Sequence, residues 1–335
     1  LWRRSGFAGR PTQLAIPSGR RAGWPLTAGS FAFAAITLLA VTLIGRSTDG
    51  SYGLGGAIDP GVIWQMRTPR TMAVLAAGSV LAISGVLLQR ATGNDMASPE
   101  ILGISSAAAL GVLCMLLFFP ELPWNVAQYG AAIGACLASA VIMGMCLYGV
   151  EPFRLLLSGM ALTIICSGLM AFFLAGGDPR ASVIISWLSG STYNATVAGA
   201  AAGLATSFVL MVLALGLSRI IGVLPLGDAV ANGIGMPVAR SRMLVFLLAA
   251  MGTACGTMLI GPLTFIGLVA PHLARRLGSS GPRQELLVAA ALGATTLMLA
   301  DWIGRNIIHP WQLPAGIVAA IISGPFVLLL LRRAG

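Results

Sequence analysis

Two arginines stand three residues apart in Arg67-Thr68-Pro69-Arg70, directly before an apolar run from Thr71 to Leu88. A guanidinium is permanently charged and offers a planar fork of donors that matches a carboxylate. A pair of them held at one surface is therefore a receptor for acidic side chains. A third arginine, Arg305, follows Asp301 by four residues, the spacing that places both on one helix face. Two readings of Arg305 stand open at this point: a local ion pair with Asp301, or membership with Arg67 and Arg70 of one cationic patch.

Other chemistry is excluded by residue type. All 20 basic residues are arginine, so a phosphate-binding loop of the G-x-x-x-x-G-K-[ST] type cannot be built here. An ATPase site has to belong to another chain. The five cysteines (Cys114, Cys136, Cys146, Cys166, Cys255) lie in apolar runs without a C-x-x-C pair, and His272 and His309 are isolated. Neither a metal centre nor a catalytic residue is expected, and no cofactor is called for. The net charge of +10 is spread through loops between apolar runs, which points to membrane topology and not to nucleic acid.

These side chains must be positioned by membrane helices. The chain is 57% hydrophobic and 9% charged, where a soluble domain carries about 25% charged residues. Nine uncharged runs between Leu26 and Leu331 are long enough for spans. The run from Met243 to Pro271 is too long for one, and Gly261-Pro262 breaks it. Arginine excess marks cytoplasmic loops. From a cytoplasmic N-terminus, nine spans put 11 arginines inside and nine outside, whereas ten spans put 15 inside and five outside. Ten spans are therefore expected, with both termini of this segment cytoplasmic.

In that arrangement the eighth segment, about Leu263 to Leu277, is short and crosses only with help from protein neighbours. The outer arginines are Arg46, Arg67, Arg70, Arg180 and Arg305, with Asp49 and Asp178 near the first and fourth. The span interiors hold almost no acids or histidines, which argues against ion coupling. Gly78, Ser84, Gly85, Gly134, Ser139 and Gly144 suit close helix packing. The inner stretch from Leu226 to Pro237 reads either as a plain connector or as short helical turns. In the second reading Asp228 caps a helix start, Gly233 and Gly235 permit a reversal, and Pro237 opens the next span beside Arg240 and Arg242.

Several longer stretches then match a family. Arg67-Thr-Pro-Arg70, Ala82-Ile-Ser-Gly-Val-Leu-Leu-Gln89, Ser98-Pro-Glu-Ile-Leu-Gly-Ile104, Gly261-Pro-Leu-Thr-Phe-Ile-Gly-Leu-Val-Ala-Pro-His272, Ala300-Asp301 with Arg305, and Leu313-Pro-Ala-Gly316 together resemble permease subunits of ABC importers for iron-siderophores, haem and vitamin B12. Gly177-Asp-Pro-Arg180 and the stretch from Trp187 to Thr196 look like the second half of the double-length ferric-hydroxamate permeases.

The resemblance implies an all-α polytopic membrane protein with about ten transmembrane helices, the fold of type II ABC-importer permeases like the vitamin B12 permease. It implies residues 1–25 as a connector and 26–335 as one ten-helix domain in the bacterial inner membrane. Arg67, Arg70 and Arg305 are then the sites that dock a periplasmic siderophore-binding protein. Leu226, Gly227, Asp228, Gly233, Gly235, Met236 and Pro237 are the element coupled to an ATP-binding subunit, present in two copies. The cytoplasmic gate falls at Asn94 and Met96, where Asp95 replaces the proline of the family's Asn-Pro-Leu. A second permease half fused on the N-terminal side and a ferric siderophore substrate complete the implied partners.

Overall fold

The computed structural model describes residues 24–46, 52–53, 61, 63–148, 152–177, 181–193, 195–308 and 311–334. Apart from one short bridge between Gly45–Arg46 and Tyr52–Gly53, the described regular structure is helical. In chain order the helices are α1 (Trp24–Leu43), α2 (Thr68–Thr92), α3 (Ile104–Phe118), α4 (Trp124–Ala127), α5 (Tyr129–Leu147), α6 (Pro152–Ala175) and α7 (Ala181–Leu188). They continue with α8 (Val197–Gly216), α9 (Ser218–Val223), α10 (Asp228–Gly233), α11 (Val238–Ile260), α12 (Ile266–Arg276), α13 (Pro282–Asn306) and α14 (Ala315–Ala334). Ten of these have eleven residues or more, which matches the expected number of spans. Six are long and apolar enough to cross a membrane unaided.

α2 is the central post. It runs for 25 residues, about 37 Å at 1.5 Å per residue, and packs against α8, α11, α12 and α13. A helix apolar all round needs neighbours on every side, and 89% of its most apolar window is buried. Small residues permit the close approach: a Cβ on Gly85 would strike the Gly267 carbonyl, and one on Gly78 would come within 2.6 Å of the Gly293 carbonyl oxygen. Gly134 meets Ala107 in the same way, whereas Gly144 faces open space and has no such role. The periphery is the reverse. α1, α6 and α8 leave Phe31, Ile36, Ile164, Phe172 and Phe208 exposed, as helices do when lipid is their solvent.

The break expected at Gly261-Pro262 is present. α11 ends at Ile260, where the Gly261 amide still donates to the Thr257 carbonyl, and α12 begins at Ile266 after Phe265, whose φ of 69° is the only positive value on a non-glycine residue among those described. α12 covers only about 16 Å of depth with eleven residues. Its Ile266 to Pro271 are all buried against protein, and in the break itself Gly261 and Leu263 are buried while Thr264 is exposed.

α2 and α13 lie antiparallel and define the two ends of the bundle. Arg90 near the last turn of α2 bonds Glu285 in the first turn of α13, and at the other end Arg70 reaches Gln312 just beyond α13. Twenty residues separate Arg70 from Arg90 along α2, about 30 Å of helix, close to the thickness of a hydrocarbon core.

Candidate docking and coupling surfaces

The first end gathers the three arginines singled out above. A π-helical turn, Ile63–Arg67, leads into α2 and buries Arg67, whose Nη1 donates to the Thr42 carbonyl at 3.4 Å. Arg70 is half-buried: its Nη1 donates to Gln312 Oε1 at 2.8 Å, and its guanidinium sits 5.1 Å from the centre of the Tyr193 ring. The ring face attracts the cation. Arg305 is ion-paired with Asp301, Nε to Oδ2 at 2.9 Å, with 14% of its side chain exposed and 3% of Asp301's. Asp301 Oδ1 accepts the Thr192 hydroxyl at 2.7 Å, which ties the segment after α7 to α13.

The local pair is therefore the one that forms, and Arg305 also belongs to the patch. Arg67 is buried, and Arg70 and Arg305 are half-buried. Pairings of Arg46 with Asp49 and of Arg180 with Asp178, like His309, lie outside the described residues.

At the other end, the stretch between α9 and α11 is two short helical turns and not a plain connector. Leu224–Leu226 forms a 3-10 turn, Gly227 follows at φ 95°, and α10 runs to Gly233. Gly235 at φ 79° makes the reversal, and Pro237 precedes the first residue of α11. Two sequence expectations need correction. Asp228 makes no capping bond; its carboxylate instead accepts Arg242 Nη2 at 2.8 Å, because Arg242 comes back beside it from the next helix. Gly233 is not in the left-handed region, and the turns are made by Gly227 and Gly235. Arg242 Nε also donates to the Ala91 carbonyl at 3.2 Å, which anchors this element to the end of α2. Ala231 is buried beneath it, while Leu226, Val230 and Ile234 project with 60%, 48% and 65% exposure.

The turn after α2 holds the gate candidates. Asn94 Oδ1 accepts the Met96 amide at 2.9 Å, and the Asn94 carbonyl accepts the Ala97 amide, so Asn94 shapes the turn in both directions. Asp95, in the place of the family's proline, lies 3.3 Å from Arg275 Nη2. Arg275 continues the chain of contacts, donating to Gln89 Oε1 at 2.7 Å and to Glu285 Oε1 at 2.5 Å. Glu285, 1% exposed, also takes Arg90 Nε at 2.9 Å. One buried carboxylate thus holds arginines from α2 and α12 against α13. Sequence reasoning passed over Glu285; the available signal was a lone acid in a helical first turn among Arg275, Arg276 and Arg283.

Among the described residues the arrangement is one of paired polar ends on an apolar bundle. Residues 31–333 match the model of the FecCD transport family. The chain belongs to that family. FecCD relatives include the iron(3+)-hydroxamate import system permease protein FhuB of Escherichia coli, 39% identical over 91% of this chain and 47% of the relative. Its Salmonella typhimurium counterpart is 40% identical over 86% of this chain and 42% of the relative. This chain thus spans about half the length of those two. The Fe(3+) dicitrate transport system permease protein FecD of Escherichia coli is 35% identical over 81% of this chain and 85% of its own length. A solved chain described as an inward-facing conformation of a metal-chelate type ABC transporter superposes with a TM-score of 0.82 at 25% identity, covering 92% of this chain and 99% of that one. This FecCD chain is accordingly an all-α, multi-pass membrane protein with the ABC-importer permease fold.

Proposed function

We propose that this chain is one permease half of an ABC importer that carries ferric hydroxamate siderophores across the bacterial inner membrane. The observation that carries the reading is the identity of 39% and 40% with the two FhuB permeases, over 91% and 86% of this chain. Coverage of 47% and 42% of those relatives supports a second half in the same polypeptide, on the N-terminal side.

In this reading a loaded periplasmic binding protein sets acidic side chains on Arg67, Arg70 and Arg305. One of the two ATP-binding subunits takes Leu226, Val230 and Ile234 of this half in its groove, and closure of the pair moves α10 with the ends of α2 and α11. The break at Gly261 to Phe265 lets α12 shift without unwinding a continuous helix. Transport needs no covalent step in this chain. An uncharged path releases a bulky chelate more readily than charged sites would.

The test is uptake of radioactive iron by cells that express the protein from its own gene beside its ATPase and binding protein. Iron supplied as ferrichrome should enter, and entry should stop when the ATPase is disabled. Entry from ferric citrate but not from ferrichrome would replace the substrate assignment. Entry that persists without ATP hydrolysis would overturn the importer.

A further inference from the structure

The bundle end that holds the coupling turns carries a second basic feature that neither docking nor coupling uses. Between the α8–α9 bend and the turn joining α12 to α13 lies a cavity of about 460 Å³, lined by Ser218, Arg219, Ser280, Pro282, Arg283 and Gln284. No carboxylate lines it. The neighbouring Glu285 is turned inward and engaged by Arg90 and Arg275. Arg283 spends Nε on Ser218 Oγ at 3.0 Å, which fixes its guanidinium at the rim. Arg219 is exposed and makes no ion pair among the described residues. Ser280 Oγ donates to Gln284 Oε1 at 2.9 Å, so the two guanidinium groups and the Ser218 hydroxyl are the groups this hollow offers to a phosphate-type anion.

The surface leading to the hollow names the source of that anion. Phe208, Val209, Val212 and Leu213 are exposed by 72%, 54%, 52% and 48% on one face of α8. Phe208, Val212 and the exposed Gly216 follow at spacings of four to the end of α8, and Arg219 comes three residues later, just past the bend. An acyl chain lying along that face would place its headgroup at the cavity. Basic pockets at the ends of membrane helices are suited to anionic lipid headgroups. We infer that this cavity binds the headgroup phosphate of an anionic phospholipid whose acyl chain lies on α8.

The assignment does not depend on which chelate is carried. The test is native mass spectrometry of the whole protein released from detergent, after equilibration with equal amounts of dioleoyl phosphatidylglycerol and dioleoyl phosphatidylcholine. Two basic side chains should favour the anionic lipid by about tenfold or more. Arg219→Gln with Arg283→Gln should abolish the preference. Arg219→Gln alone should lower it, and because Arg219 holds no other residue, folding is not at stake in that variant. Arg154→Gln, which removes an exposed arginine at the start of α6, should leave it intact. Equal retention of both lipids, an unchanged preference in the double variant, or an equal loss in Arg154→Gln would overturn the site. Displacement of the lipid by millimolar inorganic phosphate would overturn the lipid assignment in favour of the free anion.

Discussion

Asp301 Oδ2 lies 2.9 Å from Arg305 Nε, one turn apart on α13, while Asp301 Oδ1 is held by the Thr192 hydroxyl. Arg305 is thus neutralised before any partner arrives. An acidic side chain docking there has to share the guanidinium with Asp301 or draw it away. Arg70 makes no direct ion pair among the described residues: its contacts are a neutral amide, a carbonyl and a ring, and Asp301 acts on it only at longer range.

That asymmetry predicts how charge reversal at the three sites will differ. Arg70→Glu should weaken binding-protein affinity by about tenfold or more, as removal of a charge-assisted contact does, with little change in thermal unfolding. Arg305→Glu should lower affinity and also stability, because it sets two carboxylates together where Asp301 is 3% exposed. Affinity by surface plasmon resonance beside unfolding in detergent separates the two. Loss of stability in Arg70→Glu with unchanged affinity would remove Arg70 from the docking surface.

A second contrast comes from the other end. Glu285 is almost fully buried between Arg90 and Arg275, so Glu285→Gln removes the one buried carboxylate that both guanidinium groups share and leaves Arg275 only the exposed Asp95. Breaking a buried pair from one side costs about 3 kcal/mol or more. Asp95, with 69% of its side chain exposed, meets the same Arg275 through solvent-screened contact, and Asp95→Asn should cost less than about 1 kcal/mol. Equal destabilisation of the two variants in detergent unfolding would contradict the network as described.

Glu100 predicts a pH dependence. It lies in the 3-10 turn between α2 and α3; the residue is half-buried, but enclosure of the carboxyl pushes its pKa up to about 7, against weaker opposing hydrogen bonds from Ser98 and the backbone amides of Glu100 and Phe265. A raised folded-state pKa means the fold holds the proton more tightly than the unfolded chain. Its contribution is complete below the ordinary carboxylate range and is lost as pH rises through about 7. The wild type should therefore lose thermal stability between pH 5 and pH 8 relative to Glu100→Gln, roughly over the interval set by linkage. Parallel curves for the two proteins would show that Glu100 titrates at its usual place.

Legibility of these features in the sequence followed the range of the interaction. The break before α12 was readable because proline lacks an amide and because the arginine distribution chose ten spans. The turns around α10 were readable from glycine and proline, although Asp228 took a partner from α11 in place of a cap. Glu285 was only partly readable: its place among Arg275, Arg276 and Arg283 is local, but its bond to Arg90 joins residues 195 apart. The support of Arg70 by Gln312, 242 residues away, was hidden for the same reason. Phe265 carries no local signature of its positive φ.

The exposed side chains of the α10 region give the last test. Leu226 and Ile234 stand 60% and 65% exposed in a turn that Arg242 and Ala231 fasten to the bundle. Apolar side chains displayed on a rigid knob are suited to a groove on another protein. Leu226→Asp with Ile234→Asp should leave unfolding in detergent unchanged, since neither residue is buried. The same double variant should lower copurification of the ATPase and uptake together, by about tenfold for hot-spot side chains worth more than 1 kcal/mol. Arg242→Gln should act differently, loosening the knob from Ala91 and Asp228 and reducing uptake more than ATPase retention. Full ATPase retention and uptake in the Leu226 and Ile234 variant would mean that the partner does not grip this turn.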